Sequence, residues 1–359
     1  MSDRTIQENL SLLQQTRQNI SDALSGKGAI ITDTDAFSTF PDKVKNLNHI
    51  NEFIGSLMGR SISMSNLVID ATSNRREIKK YAFNGCSGLT GSLVIGNNIT
   101  SIGDYAFSGC EGFNGTLTIG SGVTNIGNDA FRGCRRLTGN LVIPDSVTHI
   151  GRNAFYSCSG FAGTLTIGSG VTRISDNAFR FCRRFTGNLV IPDSVTYIGG
   201  GAFRDCRRFT GNLVIPDSVT YIGNDAFHSC SGFDGTLIIG TGVTRISLNA
   251  FRECSSITGN LVIPDSVTYI GDSAFYDCSS ITGTLTIGRG VTTIQDGAFE
   301  GVSELQSMTL LATTPPVLAD TETSLGWPGN TYPIYVPAES LDAYKSEYPE
   351  LASRIQAIP

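Results

Sequence analysis

The sequence LVIPDSVTYIG occurs at Leu189–Gly199, Leu213–Gly223 and Leu261–Gly271, and a close variant, LTIGSGVTNIG, occurs at Leu117–Gly127. The cysteines recur with the same period, since successive cysteines are 24 residues apart, as are Leu189 and Leu213. A fixed period of this length predicts a solenoid in which each repeat stacks on the next and shares its core. The cysteines that define the period are Cys86, Cys110, Cys134, Cys158, Cys182, Cys206, Cys230, Cys254 and Cys278.

One complete repeat, Leu137–Gly160, reads LTGNLVIPDSVTHIGRNAFYSCSG. NLVI alternates and is rich in β-branched residues, which predicts a strand, and VTHI predicts a second short extended segment. IPDS, or IGSG in other repeats, predicts a turn in which proline presets φ or glycine supplies a positive φ. NAFYSC predicts one short helical turn. We therefore expect a mostly β solenoid of 24-residue repeats with short helices.

The cysteines allow three interpretations. Disulfides are disfavoured because the number of cysteines, nine, is odd and no signal for an oxidising compartment is visible. Zinc ligation is disfavoured because the cysteines lack close pairs and histidine partners. We favour a ladder of small buried side chains, since Val302 follows Cys278 by the same 24 residues and a position that accepts valine requires volume, not a thiolate.

Composition narrows the function classes. A hydrophobic content of 40% with 16% charged residues indicates a folded protein, and the net charge of −6 does not favour a nucleic-acid partner. There is no run of about 18 apolar residues, so no membrane span is expected. The N-terminal stretch MSDRTIQENLSLLQQTRQ lacks the apolar core of a signal peptide. We therefore expect the chain to stay in the cytoplasm, or to leave by a route that needs no signal peptide.

The repeat unit LxIPxSVTxIGxxAFxxC, which spans about Leu67–Leu310, resembles the BspA-like or Treponema-type leucine-rich repeats. The segment Pro333–Pro359 is similar to the C-terminal segment that closes such proteins in gut Bacteroidales. The resemblance implies a leucine-rich-repeat solenoid over residues 59–301. It also implies a C-terminal cap of strand and helix over residues 302–359, and roles in adhesion and binding at bacterial surfaces without catalysis.

The first 58 residues follow a different pattern. Their apolar residues are spaced alternately by four and three, with Arg17 at the one break, which predicts a helical attachment or oligomerisation module. SGKG at 25–28 ends the first helix, and Asp33–Leu47 leads into a second. This arrangement resembles short N-terminal modules of phage tail and other virion proteins; the alternative is a helical cap on the first repeat. The predicted oligomerisation residues are Ile6, Leu10, Leu13, Ile20 and Leu24.

Two sets of equivalent positions vary between repeats and are candidate ligand-binding surfaces. The first lies between the inward Val and Ile of VTxI, so its side chains are expected to face solvent, and the second follows AF. Both are rich in Tyr, Arg and His, which binding surfaces favour, and tyrosine rings also stack on sugars. The candidates of the first set are His149, Arg173, Tyr197, Tyr221, Arg245 and Tyr269, and those of the second are Tyr156, Arg180, Arg204, His228, Arg252 and Tyr276.

Arginine pairs add a local basic patch to this acidic protein. They are Arg135–Arg136, Arg183–Arg184 and Arg207–Arg208, and such a patch could bind acidic polysaccharide or lipid headgroups. The aspartates of the IPDS turns are expected to neutralise neighbouring arginines in part. These aspartates are Asp145, Asp193, Asp217 and Asp265.

No catalytic, metal-binding or cofactor-binding arrangement is visible in the sequence. His149 and His228 lie in different sets of positions with no nucleophile beside them, so we expect no enzyme activity, no metal and no cofactor. The expected function is recognition of a bacterial cell-surface glycan or protein. The solenoid would be mounted by residues 1–58 on a virion or phage-like appendage assembled in the bacterial cytoplasm, and could form a homo-oligomer. The alternatives are a BspA-like cell-surface adhesin and a structural virion decoration protein without a ligand.

Overall fold

The computed structural model describes residues 29–31, 64–69, 76–320, 323–325 and 330–359. Most of its regular structure is parallel β-strand. The strands are β1 (Ala29–Ile31), β2 (Met64–Ile69), β3 (Glu77–Ile78), β4 (Leu89–Ile95), β5 (Ser101–Ile102), β6 (Phe113–Ile119), β7 (Asn125–Ile126), β8 (Leu141–Ile143), β9 (His149–Ile150), β10 (Leu165–Ile167), β11 (Arg173–Ile174), β12 (Tyr197–Ile198), β13 (Leu213–Ile215), β14 (Tyr221–Ile222), β15 (Leu237–Ile239), β16 (Arg245–Ile246), β17 (Leu261–Ile263), β18 (Tyr269–Ile270), β19 (Thr284–Ile287), β20 (Thr293–Ile294), β21 (Ser307–Leu310), β22 (Val317–Leu318), β23 (Ile334–Val336) and β24 (Ile355–Ala357).

The VTxI segments form one continuous sheet along the solenoid. Within the described residues it contains eleven strands, from β3 to β22, each two residues long. Neighbouring strands are parallel and offset by one repeat, as in the pairs Arg173 with Tyr197 and Tyr197 with Tyr221. The first residue of each strand from β5 to β20 is at least partly exposed and the isoleucine after it is buried. The prediction of a second extended segment in each repeat is confirmed.

The other strand of each repeat belongs to a series that is broken into four shorter sheets. Every break falls before a repeat in which proline follows the strand. The junctions β2–β4, β4–β6, β8–β10, β13–β15 and β17–β19 are intact, and each falls before a repeat with glycine there. Gly96 and Gly288, for example, donate their backbone N–H to Ile69 and Ile263 of the preceding repeat at 2.7 and 2.9 Å. Proline has no N–H to donate, so the ladder stops. The prolines that follow the breaks are Pro144, Pro192, Pro216 and Pro264.

One predicted strand is absent for this reason. Pro192 follows residues 189–191, and Pro216 follows the equivalent segment of the next repeat, so the ladder is broken on both sides. Residues 189–191 therefore form no regular strand, although Leu189 and Ile191 stay buried. The glycines of the IGSG turns also differ from the prediction, because they do not adopt positive φ. They are required by close approach instead: a Cβ on Gly170 would lie 2.0 Å from the carbonyl oxygen of Asp145 in the preceding repeat.

The AF segment consists of tight turns, so the predicted short helical turn is wrong. In the repeat around Cys158, Ala154, Tyr156 and Cys158 donate backbone N–H groups three residues back, while Phe155 and Ser157 donate to the next repeat. This alternation needs left-handed residues, and Ser157 has a φ of 58°. The turns thereby continue the hydrogen bonding between repeats around the edge of the solenoid. In a helix the same backbone N–H groups would bond within their own repeat.

The core is a set of side-chain columns that run along the axis. Phe83 begins a column of stacked phenylalanines that ends at Phe299, with successive ring centroids 5.1 to 5.5 Å apart. A second, shorter column runs from Phe161 to Phe233. Because each repeat fills its place in every column, no repeat buries its apolar face alone.

All nine cysteines are buried and free, and they form a column of their own. The Cys158 thiol donates to the carbonyl oxygen of Phe131 at 3.0 Å, and the contact recurs along the column from Cys110 to Cys278. Burial raises the pKa of the Cys86 thiol to about 11 and raises the pKa of the other eight above the ordinary value.

The C-terminal segment closes the solenoid with two further strands and a helix, as predicted. Strands β23 and β24 extend the sheet beyond β21, and the helix α1 (Leu341–Glu347) connects them, flanked by the 3-10 turns Ala338–Ser340 and Pro349–Leu351. The buried Tyr344 hydroxyl donates to the carbonyl oxygen of Ala312 at 2.8 Å. The cap therefore satisfies polar groups that the last repeat would otherwise expose.

At the other end, β1 lies inside the region predicted to be helical and pairs with β2 in parallel. These three residues extend the solenoid sheet. The remaining helical prediction, with Ile6, Leu10, Leu13, Ile20 and Leu24, lies outside the described residues. Among the described helices, none is both long and apolar enough to span a membrane.

The cysteine column makes a prediction about thiol chemistry. Because the thiolate is the reactive form and these thiols are buried with raised pKa values, we expect them to react negligibly with an aromatic disulfide reagent at neutral pH. All nine should react after unfolding in guanidinium. Cys182→Val should cost less than about 1.5 kcal/mol, because Val302 occupies the equivalent position. Rapid labelling of several thiols in the folded protein would contradict the model of a closed column.

Candidate functional site

The outer face of the eleven-stranded sheet carries the first set of candidate residues, here called the VTxI stripe. It consists of the first residue of each two-residue strand, and alternation along the strand turns these side chains away from the buried isoleucines. Arg173, Tyr221 and Arg245 are exposed, whereas the others are half-buried. The residues of the VTxI stripe in the middle repeats are His149, Arg173, Tyr197, Tyr221, Arg245 and Tyr269.

Neighbouring side chains of the VTxI stripe stack on one another. The Arg173 guanidinium lies 3.5 Å from the Tyr197 ring centroid, and Tyr197 and Tyr221 are stacked at 4.8 Å and 9°. One repeat further, Arg245 lies 3.8 Å from the Tyr269 centroid. Each arginine–ring contact contributes about 0.5–1 kcal/mol at an exposed site. The contacts fix the rings in one orientation, which leaves a flat aromatic surface before any ligand arrives.

Electrostatics differ along this stripe. Burial, with a further effect from the neighbouring Arg173 charge, lowers the pKa of His149 below its ordinary value, so His149 is neutral at pH 7. The positive charge of the stripe therefore comes from Arg173 and Arg245. Both guanidinium groups are held by tyrosine rings, and neither forms an ion pair with a described carboxylate. The guanidinium donors that the tyrosine contacts do not use remain available to an acceptor on a ligand.

The second set of candidates, here called the AF stripe, lies in the turns after AF and is mostly half-buried. Arginines in this row face tyrosines of the next repeat: Arg252 lies 4.0 Å from the Tyr276 centroid, and Arg132, at the equivalent position one repeat before the stripe, lies 5.1 Å from that of Tyr156. The structure brings the stripe residues together with three residues that the sequence analysis did not single out. They are the carboxylates Asp225 and Glu253 beside His228, and the aromatic Phe181 beside Arg180. The residues of this stripe in the middle repeats are Tyr156, Arg180, Arg204, His228, Arg252 and Tyr276.

An ion-pair network surrounds His228. Its Nδ1 lies 2.8 Å from Asp225 Oδ1 and its Nε2 lies 3.6 Å from Glu253 Oε2. Arg204 forms a 3.2 Å ion pair with Asp225, and the Ser229 hydroxyl donates to Glu253 at 2.7 Å. Both ring nitrogens of His228 thus face carboxylates, so neither is directed at a hydroxyl or thiol. This arrangement holds charges in place and lacks the geometry for activating a nucleophile.

The network lowers the pKa values of its carboxyl groups. Burial alone would raise the pKa of Asp225, but the hydrogen bond with His228 and the Arg204 charge outweigh it and lower that pKa. The Ser229 hydrogen bond, together with His228 and Arg252, lowers the pKa of Glu253. The folded state therefore favours the ionised form of both carboxyl groups.

A family comparison agrees with this architecture. The model of the BspA type leucine-rich repeat region matches residues 54–186, 113–234 and 235–315, which together make up most of the chain. The chain belongs to the BspA-type leucine-rich repeat family. No curated protein is significantly similar to it.

Several solved structures resemble this BspA-type chain. A leucine-rich repeat protein from Bacteroides ovatus is 24% identical, with 82% of this chain and 84% of that chain covered and a TM-score of 0.43. A leucine rich cell surface protein from Faecalibacterium prausnitzii is 22% identical, with 71% and 81% covered and a TM-score of 0.36. The pneumococcal vaccine antigen PcpA is 16% identical, with 82% and 78% covered and a TM-score of 0.44.

The sequence did contain a signal for the missed carboxylates of this BspA-type solenoid. Asp225 lies three residues before His228, and Glu253 lies one residue before a cysteine of the column. Both positions have left-handed backbones, with φ values of 58° and 59°. Aspartate is among the residues that tolerate this region best, so the carboxylate at Asp225 also suits the turn.

The IPDS aspartates have a different role from the predicted one. Asp145 accepts hydrogen bonds from the backbone N–H and hydroxyl of Ser169 in the next repeat at 2.7 and 3.0 Å, and Asp217 does the same for Thr241. These bonds lower the pKa values of Asp145 and Asp217. The aspartates connect turns of successive repeats, whereas arginines pair with other carboxylates, such as Asp129 and Asp225.

The His228 network predicts a dependence of stability on pH. The lowered pKa values of Asp225 and Glu253 stabilise the folded state above the ordinary carboxyl range, and this contribution is lost as pH falls through the folded pKa values. Asp225→Asn should lower the free energy of unfolding at neutral pH by about 1–2 kcal/mol, since the ion pairs of Asp225 are partly exposed and therefore partly screened. It should also make the acid-induced loss of stability shallower.

Urea unfolding between neutral and acidic pH measures both effects. Asp193→Asn is the matched control, because Asp193 is exposed and forms no ion pair with a described residue. Identical pH profiles for the two variants would show that the network does not stabilise the fold.

Proposed function

We propose that this BspA-type chain is a non-enzymatic recognition protein whose solenoid binds a glycan or protein of a bacterial cell surface. The observation that carries the proposal is the preorganised Arg173–Tyr197–Tyr221 stack on the VTxI stripe. Fixed tyrosine rings offer a large contact area at low entropic cost, and arginines beside them supply forked donors. The uniform columns of the core restrict variation to outward positions, which is where a recognition surface can change without loss of the fold.

The absence of enzyme activity belongs to the same proposal. Among the described residues, no group of three or more His, Cys, Asp or Glu side chains could hold a metal ion. The free cysteines are buried, and His228 is enclosed by carboxylates. These arrangements support a binding role for the outward stripes.

Substitution of the aromatic stack tests the proposal directly. Tyr221→Ala in the complete chain should reduce binding to a panel of intact bacteria by about tenfold, because exposed aromatic anchors dominate such interfaces. Its effect on stability should stay below about 1 kcal/mol, since the ring is 38% exposed and packs mainly on Tyr197. Flow cytometry with labelled protein measures the binding.

Tyr335→Ala is the matched control, because Tyr335 is a partly exposed tyrosine of the cap strand β23, outside both stripes. Binding that survives both Tyr197→Ala and Tyr221→Ala would refute the role of the VTxI stripe. Such a result would favour the alternative of a structural decoration protein without a ligand.

The solenoid could be attached to either of two structures, a bacterial cell surface or a phage-like appendage. The resemblance to BspA-like adhesins supports a place on the bacterial cell surface. The apolar spacing of Leu10, Leu13 and Ile20, with the resemblance of residues 1–58 to virion modules, supports mounting on a phage or phage-like appendage. The appendage model requires self-association or docking through this segment.

Light scattering of the complete chain separates the two mountings. With self-association, the appendage model predicts a dimer or trimer that Leu13→Glu converts to monomer, because the charge would face the helix seam. Gln15→Glu places the same charge on the outer face of that helix and should leave the oligomer intact. A wild-type monomer at micromolar concentration would remove the oligomerisation model and favour the surface adhesin.

A further inference from the structure

Phe181 occupies a backbone conformation that its own column otherwise gives to smaller or polar residues. It lies one residue before Cys182 and has a φ of 64°. The equivalent position is Gly133 or Ser157 in the preceding repeats and Asp205 in the next. A bulky aromatic residue in the left-handed region is a strained choice, and strain of this kind concentrates at functional sites.

The ring of Phe181 organises its cationic neighbours. The guanidinium groups of Arg180 and Arg183 lie 4.8 and 5.0 Å from its centroid. The ring also meets Tyr156 of the preceding repeat edge-on, with centroids 5.5 Å apart and planes at 82°. An aromatic ring that holds two guanidinium groups fixes their positions and reduces the entropy lost when they bind an anion.

A shallow cleft opens beside this ring. It is lined by Arg135, Ser157, Ser159, Phe181 and Arg183 and is hereafter called the Phe181 cleft. Two guanidinium groups, two hydroxyls and one aromatic ring therefore meet at one place on the surface. Arg135 and Arg183 belong to repeats two apart, which corresponds to about 10 Å along the axis.

The charge around the Phe181 cleft is mostly uncompensated. Arg135 has only a long 3.8 Å contact with the exposed Glu111. No described carboxylate lies within ion-pair distance of the exposed Arg136, Arg183 or Arg184. The buried Nε of Arg180 likewise has no hydrogen-bond partner in the described part of the chain. On a chain with a net charge of −6, this is a local concentration of positive charge that the fold does not use.

We propose that the Phe181 cleft binds carboxylate-bearing sugar units of an acidic polysaccharide that runs along the solenoid axis. Arg183 and Arg135 would engage two carboxylates about 10 Å apart on the polysaccharide, since guanidinium groups match carboxylates with two parallel hydrogen bonds. Ser157 and Ser159 would contact sugar hydroxyls. The net negative charge of the chain and the small size of the patch disfavour nucleic acid. The inference rests on the proposed recognition function and names the ligand class of a second site.

Binding of polygalacturonate to the complete chain tests this assignment, with neutral dextran as the comparison polymer. Arg183→Gln should weaken binding about tenfold, as expected for loss of a charge-assisted hydrogen bond. Arg289→Gln removes an exposed arginine near the end of the solenoid and should change binding less than about twofold. Equal losses in the two variants would indicate diffuse charge attraction and would overturn the site.

Phe181→Gly is the second variant, because glycine adopts the required φ freely and the fold should survive. It should weaken polygalacturonate binding about tenfold with little loss of thermal stability. Asp277→Gly makes the same backbone change, at a φ of 56°, and removes a negative charge, so it cannot weaken polyanion binding through electrostatics. Unchanged binding by Phe181→Gly would overturn the role of the ring.

Two further arms distinguish the possible ligands. Vesicles rich in phosphatidylglycerol and duplex DNA replace polygalacturonate in the same assay. If either binds with the Arg183 and Phe181 dependence while polygalacturonate does not, the polysaccharide assignment is wrong. The outcome is independent of the VTxI stripe: Tyr221→Ala should leave polygalacturonate binding intact, so failure at the Phe181 cleft and failure of the proposed cell recognition can be told apart.

Discussion

The structure depends on the backbone hydrogen bonds that connect each repeat to the next at a constant offset. Strand positions and AF turns both take part, as in Ile174 beside Ile198 and the bond from Phe155 to Ala178. Because these bonds fix both register and separation, equivalent side chains must lie about 5 Å apart in straight columns. Phenylalanine rings stack at this spacing, so the column can repeat one residue type without gaps. The core is thus a consequence of the register.

The same spacing organises the outer surface. An arginine and a tyrosine in successive repeats are close enough for a cation–π contact, as Arg173 and Tyr197 show, and two tyrosines stack as their phenylalanine counterparts do inside. A solvent-facing column therefore becomes a row of mutually supported groups. Such a row is ordered along one direction, which suits an extended ligand, and its composition can change repeat by repeat without disturbing the core.

The period predicted the columns and the two extended segments, because both depend on the spacing of apolar residues, whereas the C-terminal cap was expected from the resemblance of residues 333–359 to the segment that closes related proteins. It did not predict that Pro144 and Pro192 would interrupt one sheet, although the missing N–H is visible in the sequence, because the partner carbonyl is identified only once the repeats are aligned in space. The AF turns were missed because a local helical pattern cannot reveal that Ser157 and Phe155 donate to the next repeat. Of the partners of His228, Glu253 was missed because it comes from the next repeat, whereas Asp225 lies only three residues before His228 and its spacing was visible in the sequence.

Because the repeats are nearly identical, each residue can be compared with the residues at the equivalent position of the other repeats. Val302 in the cysteine column preserves volume, so that departure fits the core and has no need of another cause. Phe181 departs in the opposite sense, since it adds a large ring where Gly133 and Ser157 fit the left-handed backbone easily. Folding alone gives no reason for that choice, whereas two guanidinium groups packed on the ring do. In a chain built from near-identical units, a departure that opposes the local backbone preference is therefore stronger evidence for binding than a variable surface residue.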